Sequence, residues 1–443
     1  MSTAVDRREF MTGLAALAAC IATPSTSSGK PALESLRIDA ARLQRSLEEL
    51  SVFGRPSGGT FADGVSRIAY SDADVAGRRY VMDLMRAAGL EPSIDAAGNL
   101  HGLRKGRDPS LKPIVFGSHI DSVPDGGNFD GDLGSLAAIE VMHTLQDAGI
   151  RTRHPLEVSI WSNEEGGTLG SRGQIGTVEA ADLDRMFAGV SMRDGLRRIG
   201  GDPDHLEGAR RPPGSVQAYL ELHIEQGGVL DKAGIPIGVV EGIVSIDEYE
   251  VEIRGFANHA GTTPMPERRN ALLAAAKLIE AVQELVTSMP GRQVGTVGQL
   301  VVSPNAPNVV PGLVRHSIEF RDLSEDTLAH LGAAIRERAA QVARDTHTEI
   351  TIRPTEHLPP ALASPVIQRQ IEASAGALGF KTMHLPSGAG HDAQIMARLA
   401  PMGMIFVPSV AGVSHSPHEL TRWPDCANGA NVLLQTILRI DRS

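Results

Sequence analysis

Two short apolar runs, Pro113-Ile114-Val115-Phe116 and Leu156-Glu157-Val158-Ser159-Ile160-Trp161, each break off into residues that can bind ions or move protons. A stretch of helical period, Leu133 to Ala148, lies between them. Strand, crossover helix, strand is the unit of a parallel sheet, and it places both carboxyl ends on one edge. Ligands of open α/β sheets bind in the crevice outside those ends. The pattern therefore predicts an α/β fold whose chemistry sits just after Phe116 and just after Trp161.

At 443 residues the chain exceeds what one hydrophobic core usually serves. From Pro31 to about Pro213 helical periods alternate with short apolar runs, and Leu36 to Leu50 and Ala73 to Ala88 are predicted helices. A second unit, Gly242 to Pro354, changes period in the order strand, helix, strand, strand, helix, strand. Its pieces are Glu248 to Arg254, Ala271 to Thr287, Val294 to Val301, Leu313 to Phe320, Thr327 to Ala343 and Glu349 to Ile352. That order is the split βαβ, ferredoxin-like unit. The first pattern resumes from Leu358. We therefore expect a large α/β domain in two parts, residues 31–241 and 355–443, with an α+β domain, residues 242–354, inserted into it.

The first 30 residues read as targeting and not as fold. Arg7-Arg8, followed by Phe10 and the weakly polar run Thr12 to Ala22, resemble a twin-arginine export signal, which implies a periplasmic protein. Leu17-Ala18-Ala19-Cys20 is also similar to a lipobox, after which Cys20 would carry a lipid anchor. The apolar run is too short to span a bilayer permanently. With only Cys20 and Cys426 in the chain, and Cys20 inside the signal, the mature protein cannot form a disulfide framework. A net charge of -11 and the lack of a basic aromatic stripe argue against nucleic acid and anionic membrane as partners, which leaves small molecules.

His119 and Asp121 follow the first run with one residue between, so an extended backbone points both side chains the same way. Gly126-Gly127-Asn128-Phe129-Asp130-Gly131 frames a carboxylate with glycines that permit a sharp turn and close backbone approach, a setting that suits Asp130 to two ions at once. Asn163-Glu164-Glu165-Gly166 follows the second run, and adjacent carboxylates repel each other unless dications sit beside them. His223, in Glu221-Leu222-His223-Ile224-Glu225-Gln226-Gly227, and His415, in Gly412-Val413-Ser414-His415-Ser416-Pro417, complete a mixed nitrogen and oxygen donor set suited to zinc, manganese, cobalt or nickel. Singly, each has an ordinary reading: a core histidine, an Asp-Gly turn, a solvated pair of glutamates. Jointly they point to a metal site. His101, His143, His154, His316, His384 and His418 have no such context and read as ordinary residues.

These segments occur together with His259-Ala260-Gly261-Thr262-Thr263-Pro264-Met265, Asn308-Val309-Val310-Pro311-Gly312 and Ser387-Gly388-Ala389-Gly390-His391-Asp392-Ala393. In this order they make the chain resemble the di-metal aminoacylase and carboxypeptidase clan, and within it the hydantoinase/carbamoylase amidases. The resemblance covers nearly everything after the signal. It implies a di-metal exopeptidase-like α/β catalytic domain whose α+β insert serves as lid and dimerisation domain. It also implies two divalent ions per chain, bridged by Asp130, one completed by His119 and His223 and the other by Glu165 and His415. Asp121 would hold the His119 ring in its ligating tautomer. Glu164 would be the general base, taking a proton from water and returning it to the leaving nitrogen. His259 would polarise the scissile carbonyl across a homodimer. Asn308 and Arg321 from the same insert, with Gln226 beside a metal ligand, would bind a small carboxylate-bearing substrate. Arg321 also has a plainer reading as an ion pair with Glu319 or Asp322, and His391 divides between substrate contact and support of its glycine-rich loop.

The activity so implied is hydrolysis of a linear amide or ureido C-N bond, in the first place that of an N-carbamoyl-L-amino acid, giving amino acid, carbon dioxide and ammonia. Allantoate, 3-ureidopropionate and N-acyl amino acids fit the same chemistry, and export sets the chain apart from relatives that act in the cytoplasm. A peptidase would need a site open to a peptide chain, whereas Gln226, Asn308 and Arg321 fit a small anion. A binding protein on the same fold would be expected to have lost ligands or base, and all five ligands and Glu164 are present.

Overall fold

The computed structural model describes residues 33–443. The expected export signal and Cys20 lie outside the described residues, among which no helix is long and apolar enough to cross a membrane. Two helices come first, α1 (Ala40–Leu50) and α2 (Asp72–Ala87), and each has a side-chain cap: Asp39 accepts from Arg42 N, and Ser71 from Asp74 N. Such caps contribute about 1 kcal/mol each. Leu43, Leu47 and Leu50 recur at helical spacing on α1 and are all buried, so one apolar face docks this helix on the core.

Strands β1 (Glu91–Ile94), β2 (Leu100–Arg104), β3 (Ile114–His119) and β4 (Leu156–Trp161) follow, with α3 (Asp132–Asp147) as the expected crossover between the last two. After α4 (Leu169–Ile175) come β5 (Ala218–Ile224) and β6 (Ile237–Ile243). β3, β4 and β5 are buried along their whole lengths, as parallel strands covered on both faces must be. β3 continues to His119, so that residue belongs to the strand and inherits its rigidity.

The chain then leaves the sheet. β7 (Ser245–Arg254), β8 (Asn258–His259), α5 (Ala271–Ser288), β9 (Val294–Thr296), β10 (Leu300–Ser303), β11 (Val309–Val310), β12 (Leu313–Asp322), α6 (Glu325–Thr346) and β13 (Glu349–Leu358) form a second assembly. Its five-stranded antiparallel sheet runs β9-β12-β7-β13, with β10 also on β12. Leu278, Ile318, Phe320, Leu331 and Ile335 pack between this sheet and α5 and α6 in a core of their own. The single strand expected over 294–301 is broken in two. Ser317 Oγ accepts from Gly298 N and Gln299 N at 3.2 Å each, so a side chain replaces ladder bonds at the break. A ribbon the sequence did not announce pairs β8 with β11.

β14 (Ala361–Leu362), α7 (Pro365–Ala377), β15 (Thr382–Ser387), α8 (Asp392–Met396), β16 (Met402–Val407) and α9 (Trp423–Arg442) return to the large sheet. Its order is β1-β2-β4-β3-β5-β16-β6-β14, with β15 beside β6. The crossing between sheets falls at Val244 and again between Leu358 and Ala361. β4, β3, β5 and β16 are parallel neighbours.

One buried histidine outside the candidate site shows how charge is used for stability. His101 on β2 has Nε2 3.0 Å from Asp95 Oδ2, and Nδ1 2.9 Å from Ser159 Oγ and 3.2 Å from Glu157 Oε1. Burial opposes its charged form, but the two carboxylates outweigh burial and raise its pKa above the ordinary 6.5. The stability gained from the protonated ring is fully present below pH 6.5 and is lost as pH rises through the folded-state value. Replacing His101 by Gln is therefore expected to cost most at acidic pH, with the gap from wild type narrowing towards alkaline pH. Urea unfolding midpoints from roughly pH 5 to 9 check this, and a constant gap would mean the ring works uncharged.

Candidate metal centre and active site

The carboxyl ends of β4, β3, β5 and β16 stand side by side, and each delivers candidate residues. β3 ends at His119, Glu164 and Glu165 follow β4, His223 lies near the end of β5 with Gln226 beyond it, and the loop after β16 carries His415. Non-glycine residues adopt left-handed backbone at three of these turns: Asn163 (φ 51°), Gln226 (φ 59°) and His415 (φ 52°). Strain of that kind concentrates where function requires it.

Asp130 stands at the centre. Its Oδ1 lies 3.1 Å from His223 Nε2 and 3.6 Å from His119 Nε2. Its Oδ2 lies 3.3 Å from His415 Nε2, which is 3.6 Å from Glu165 Oε1. The two carboxylate oxygens thus face different partners. Both buried imidazoles have Nδ1 occupied, His119 by the carbonyl oxygen of Asp121 and His223 by that of Ile224, at 2.9 Å each. Each therefore donates from Nδ1 and turns Nε2 towards the centre, where the Nε2 of His223 also accepts from Gly131 N at 3.3 Å. Close approach is built in at Gly131 (φ 67°), where a Cβ would stand 2.4 Å from the His119 ring.

The donor set fits divalent ions. Ligands about 2.1 Å from a tetrahedral ion stand about 3.4 Å from one another, close to the separations found here. Glu165 Oε1 is buried without a hydrogen-bond partner among the described residues, a costly condition that a cation relieves. Two groups have the required spacing, His119 with Asp130 and His223, and Asp130 with Glu165 and His415. A third, Glu221 with His223 and His391, is structural support. Glu221 already accepts from Ser118 Oγ at 2.7 Å and from Tyr219 OH and Ala393 N at 3.0 Å each. Strand alternation places Glu221 on the face of His223, a signal the sequence reading passed over.

Burial, followed by the neighbouring Asp130, pushes Glu165 up to about 8. Burial, then Asp392 and Glu165, holds Glu164 well above the ordinary carboxylate range. Only added positive charge lets both ionise near neutrality. Glu164 Oε2 lies 3.9 Å from His119 Nε2.

Asp121 works differently from the expectation. It is its main-chain oxygen that meets His119 Nδ1, while its carboxylate Oδ1 is 3.9 Å away. The carboxylate accepts instead from Glu164 N and Glu165 N, at 3.2 Å each, because the left-handed turn at Asn163 leaves those two N–H groups in need of acceptors. Asp121 thereby fixes the turn that presents both glutamates.

A cavity of about 970 Å³ opens over the centre, lined by His119, Asp130, Glu164, Glu165, His415 and Gln226 among others. Gln226 Nε2 donates to Asp130 Oδ2 at 2.7 Å. Arg321 also lines the cavity and makes the ion pair considered for it, with Glu319 (2.7 and 3.1 Å) and not with Asp322, while Nη1 donates to Gly388 O at 2.8 Å. His391 is both cavity wall and support: its Nε2 is 2.8 Å from Ser387 Oγ and its ring packs edge-on to His223. His259 and Asn308 are held together, since Ala260 N donates to Asn308 O at 3.0 Å, but both are exposed and neither lines the cavity.

Glu419 was not anticipated. It is buried, and its Oε1 accepts from Phe129 N (3.0 Å) and Asp130 N (3.1 Å) while Oε2 accepts from Ser414 Oγ (2.8 Å). Gly127 must be glycine because a Cβ there would fall 2.0 Å from Glu419 Oε1. One carboxylate thus clasps the Asp130 turn to the His415 loop. Glu419→Ala is expected to lower stability by about 1–3 kcal/mol, since it orphans two buried N–H groups. It should also weaken metal retention in dialysis. Wild-type stability and retention together would reduce Glu419 to a bystander.

Imidazole and carboxylate donors gathered at adjacent strand ends beneath a cavity are a set that, holding divalent ions, can activate water against a carbonyl, which is the chemistry of the metal-dependent hydrolases. Residues 115–439 match peptidase family M20/M25/M40. A crystal structure of a hydantoinase/carbamoylase-family amidase from Burkholderia multivorans is similar with a TM-score of 0.86 at 36% identity, over 92% of this chain and 99% of that one. The chain belongs to the M20/M25/M40 family and, within it, to the hydantoinase/carbamoylase amidases. It is 41% identical over 410 residues to the N-carbamoyl-L-amino acid amidohydrolase of Geobacillus stearothermophilus, covering 91% of this chain and 99% of the relative. It is 37% identical over 421 residues to the ureidoglycolate hydrolase of Arabidopsis thaliana, covering 92% and 87%.

Proposed function

We propose that the chain hydrolyses the ureido C-N bond of N-carbamoyl-L-amino acids, using two divalent ions drawn from zinc, manganese, cobalt and nickel. The observation that carries this reading is the division of Asp130, whose Oδ1 faces His119 and His223 while Oδ2 faces His415. When bound, the ions supply a polarised carbonyl and a water of lowered pKa. Glu164 takes the proton of the attacking water and delivers it to the leaving amine nitrogen, and the carbamic acid released falls to carbon dioxide and ammonia. Arg321, with its guanidinium steadied by Glu319 and Gly388 O, meets the substrate carboxylate, and Gln226, held on Asp130 beside the metal ligands, contributes to substrate binding.

His259 and Asn308 serve a site by closure of the smaller sheet or from a second copy in a homodimer. His259 is prepared for this, because its Nδ1 accepts from Gly261 N (3.0 Å) and Thr262 N (3.1 Å), which leaves the proton on Nε2 to donate to a developing oxyanion. Exposed Leu272 and Leu273 on α5, with Leu300 and Val301 on β10, support the smaller assembly, residues 242–354, as a lid that also dimerises. The twin-arginine-like start supports periplasmic action, with anchoring through Cys20 as the alternative. A panel of N-carbamoyl-L-amino acids, N-acetyl amino acids, allantoate, 3-ureidopropionate and dipeptides tests the reading on metal-loaded protein. The highest kcat/KM is expected on an N-carbamoyl-L-amino acid, and a dipeptide preference would overturn it.

A further inference from the structure

We infer that this site prefers substrates bearing a second anionic group, an N-carbamoyl or N-acyl derivative of an acidic amino acid, whose side-chain carboxylate is read by Arg185 and Arg398. The inference rests on the ureide-hydrolase reading above. Four arginines line the cavity, and two have carboxylate partners within the chain: Arg321 has Glu319, and Arg172 has Asp182. Arg185 and Arg398 are exposed, and among the described residues neither side chain has an ion pair or hydrogen bond.

Both line one cavity, and the segments that carry them are linked. Ser171 Oγ on α4 donates to Asp392 Oδ1 at the start of α8, at 2.5 Å, so the two helices are tied together. Arg172 is the next residue of α4, and its bond to Asp182 ties it to the helix Ala180–Asp184, which ends directly before Arg185. Arg398 stands just past the end of α8, with its N bonded to Ile395 O at 3.1 Å. Gln394, one turn earlier on α8, lines the same cavity and donates to Pro359 O at 3.1 Å, which pins the apolar wall of Leu358, Pro359 and Pro360.

Arg321 is anchored to Gly388, ahead of α8, so cationic groups flank this short helix on both sides. The helix itself accounts for about 7 Å of the path between the Gly388 end and the Arg398 end. With the α-carboxylate at Arg321 and the ureido carbon over the metal ligands, a side-chain carboxylate reaches the Arg185 and Arg398 end. A guanidinium on a cavity wall with no hydrogen-bond or ion-pair partner can form two-pronged, charge-assisted bonds with a carboxylate, and a carboxamide cannot replace them. The cavity also holds Glu356, which has no basic partner among the described residues. Recognition through Glu356 would select a cationic side chain, so the two arrangements call for opposite charge preferences.

Calorimetry on zinc-loaded Glu164→Gln protein, titrated with N-carbamoyl-L-glutamate and with N-carbamoyl-L-glutamine, tests the inference without turnover. The glutamate derivative is expected to bind about tenfold more tightly, and the ratio to fall near one in the Arg185→Ala/Arg398→Ala double variant. Equal affinities, tighter binding of N-carbamoyl-L-lysine, or a ratio untouched by the double variant would each overturn it. If Glu164→Gln misfolds, the products L-glutamate and L-glutamine on zinc-loaded wild type give the same comparison. Turnover by the wild type reports separately: failure to hydrolyse any ureide while the charge preference holds overturns the catalytic reading alone.

Discussion

Glu164→Gln is expected to lower kcat by about 10³-fold while metal content and KM stay near wild type. Gln has the shape of Glu and can still accept a hydrogen bond, but it cannot take the proton from water or pass it to the leaving nitrogen. The placement of this residue makes the separation clean. Its backbone N is held by Asp121 Oδ1, so the side chain can change without releasing the turn. The five candidate ligands are other residues, so metal should remain. Arg321, on a different strand, takes the substrate carboxylate in our reading, so KM should move little. Burial and the adjacent carboxylates hold Glu164 high in the absence of cations, which makes it a group whose proton affinity the metals themselves would bring into the working range. The acidic limb of the pH-rate profile should vanish in the variant along with the rate. Activity within tenfold of wild type would move the base to another group.

The parts of this fold that could be read from sequence are those where burial leaves little choice. Parallel strands covered on both faces must be continuously apolar, so β3 and β4 stood out, and the chemistry had to follow them. Which atom of a residue does the work was less accessible. Asp121 was expected to act through its carboxylate on His119, yet the main-chain oxygen does so, because only the folded turn reveals that Glu164 N and Glu165 N claim the carboxylate. Glu419 was invisible for a related reason. Its partners are main-chain N–H groups nearly 290 positions away, and no spacing rule links a side chain to a distant backbone. Of the two readings of Arg321, the ion pair is formed, with Glu319, and because the residue also lines the cavity the substrate-binding reading stays a proposal beside it. Ser317 broke a strand from across the sheet, which periodicity along the broken segment does not record.

Asp130→Ala is expected to empty the centre, whereas His415→Ala should remove one ion of the two proposed. The difference follows from which oxygen faces which donor. Without Asp130, His119 and His223 remain as one pair and Glu165 and His415 as another, and two donors seldom hold a dication where three or four are usual. Without His415, the group of His119, Asp130 and His223 is intact. Metal content by plasma mass spectrometry, after equilibration with excess zinc and gel filtration, should therefore fall to near zero in the first variant and by about half in the second. Turnover should fall in both, by about 10³-fold or more, because several kcal/mol of transition-state stabilisation leave with the ions. The burial of the site adds a signature that activity alone does not give. Glu165 is pushed up to about 8 by burial and by the neighbouring Asp130 charge. Removing that charge eases the ionisation of Glu165, but Asp130 is itself held well below the ordinary carboxylate range, against its burial, by His223 and His415, so Asp130→Ala should be less stable than metal-free wild type at neutral pH, with the gap closing as pH falls. Equal metal loss in the two variants would mean that the oxygens of Asp130 do not divide the ions between them.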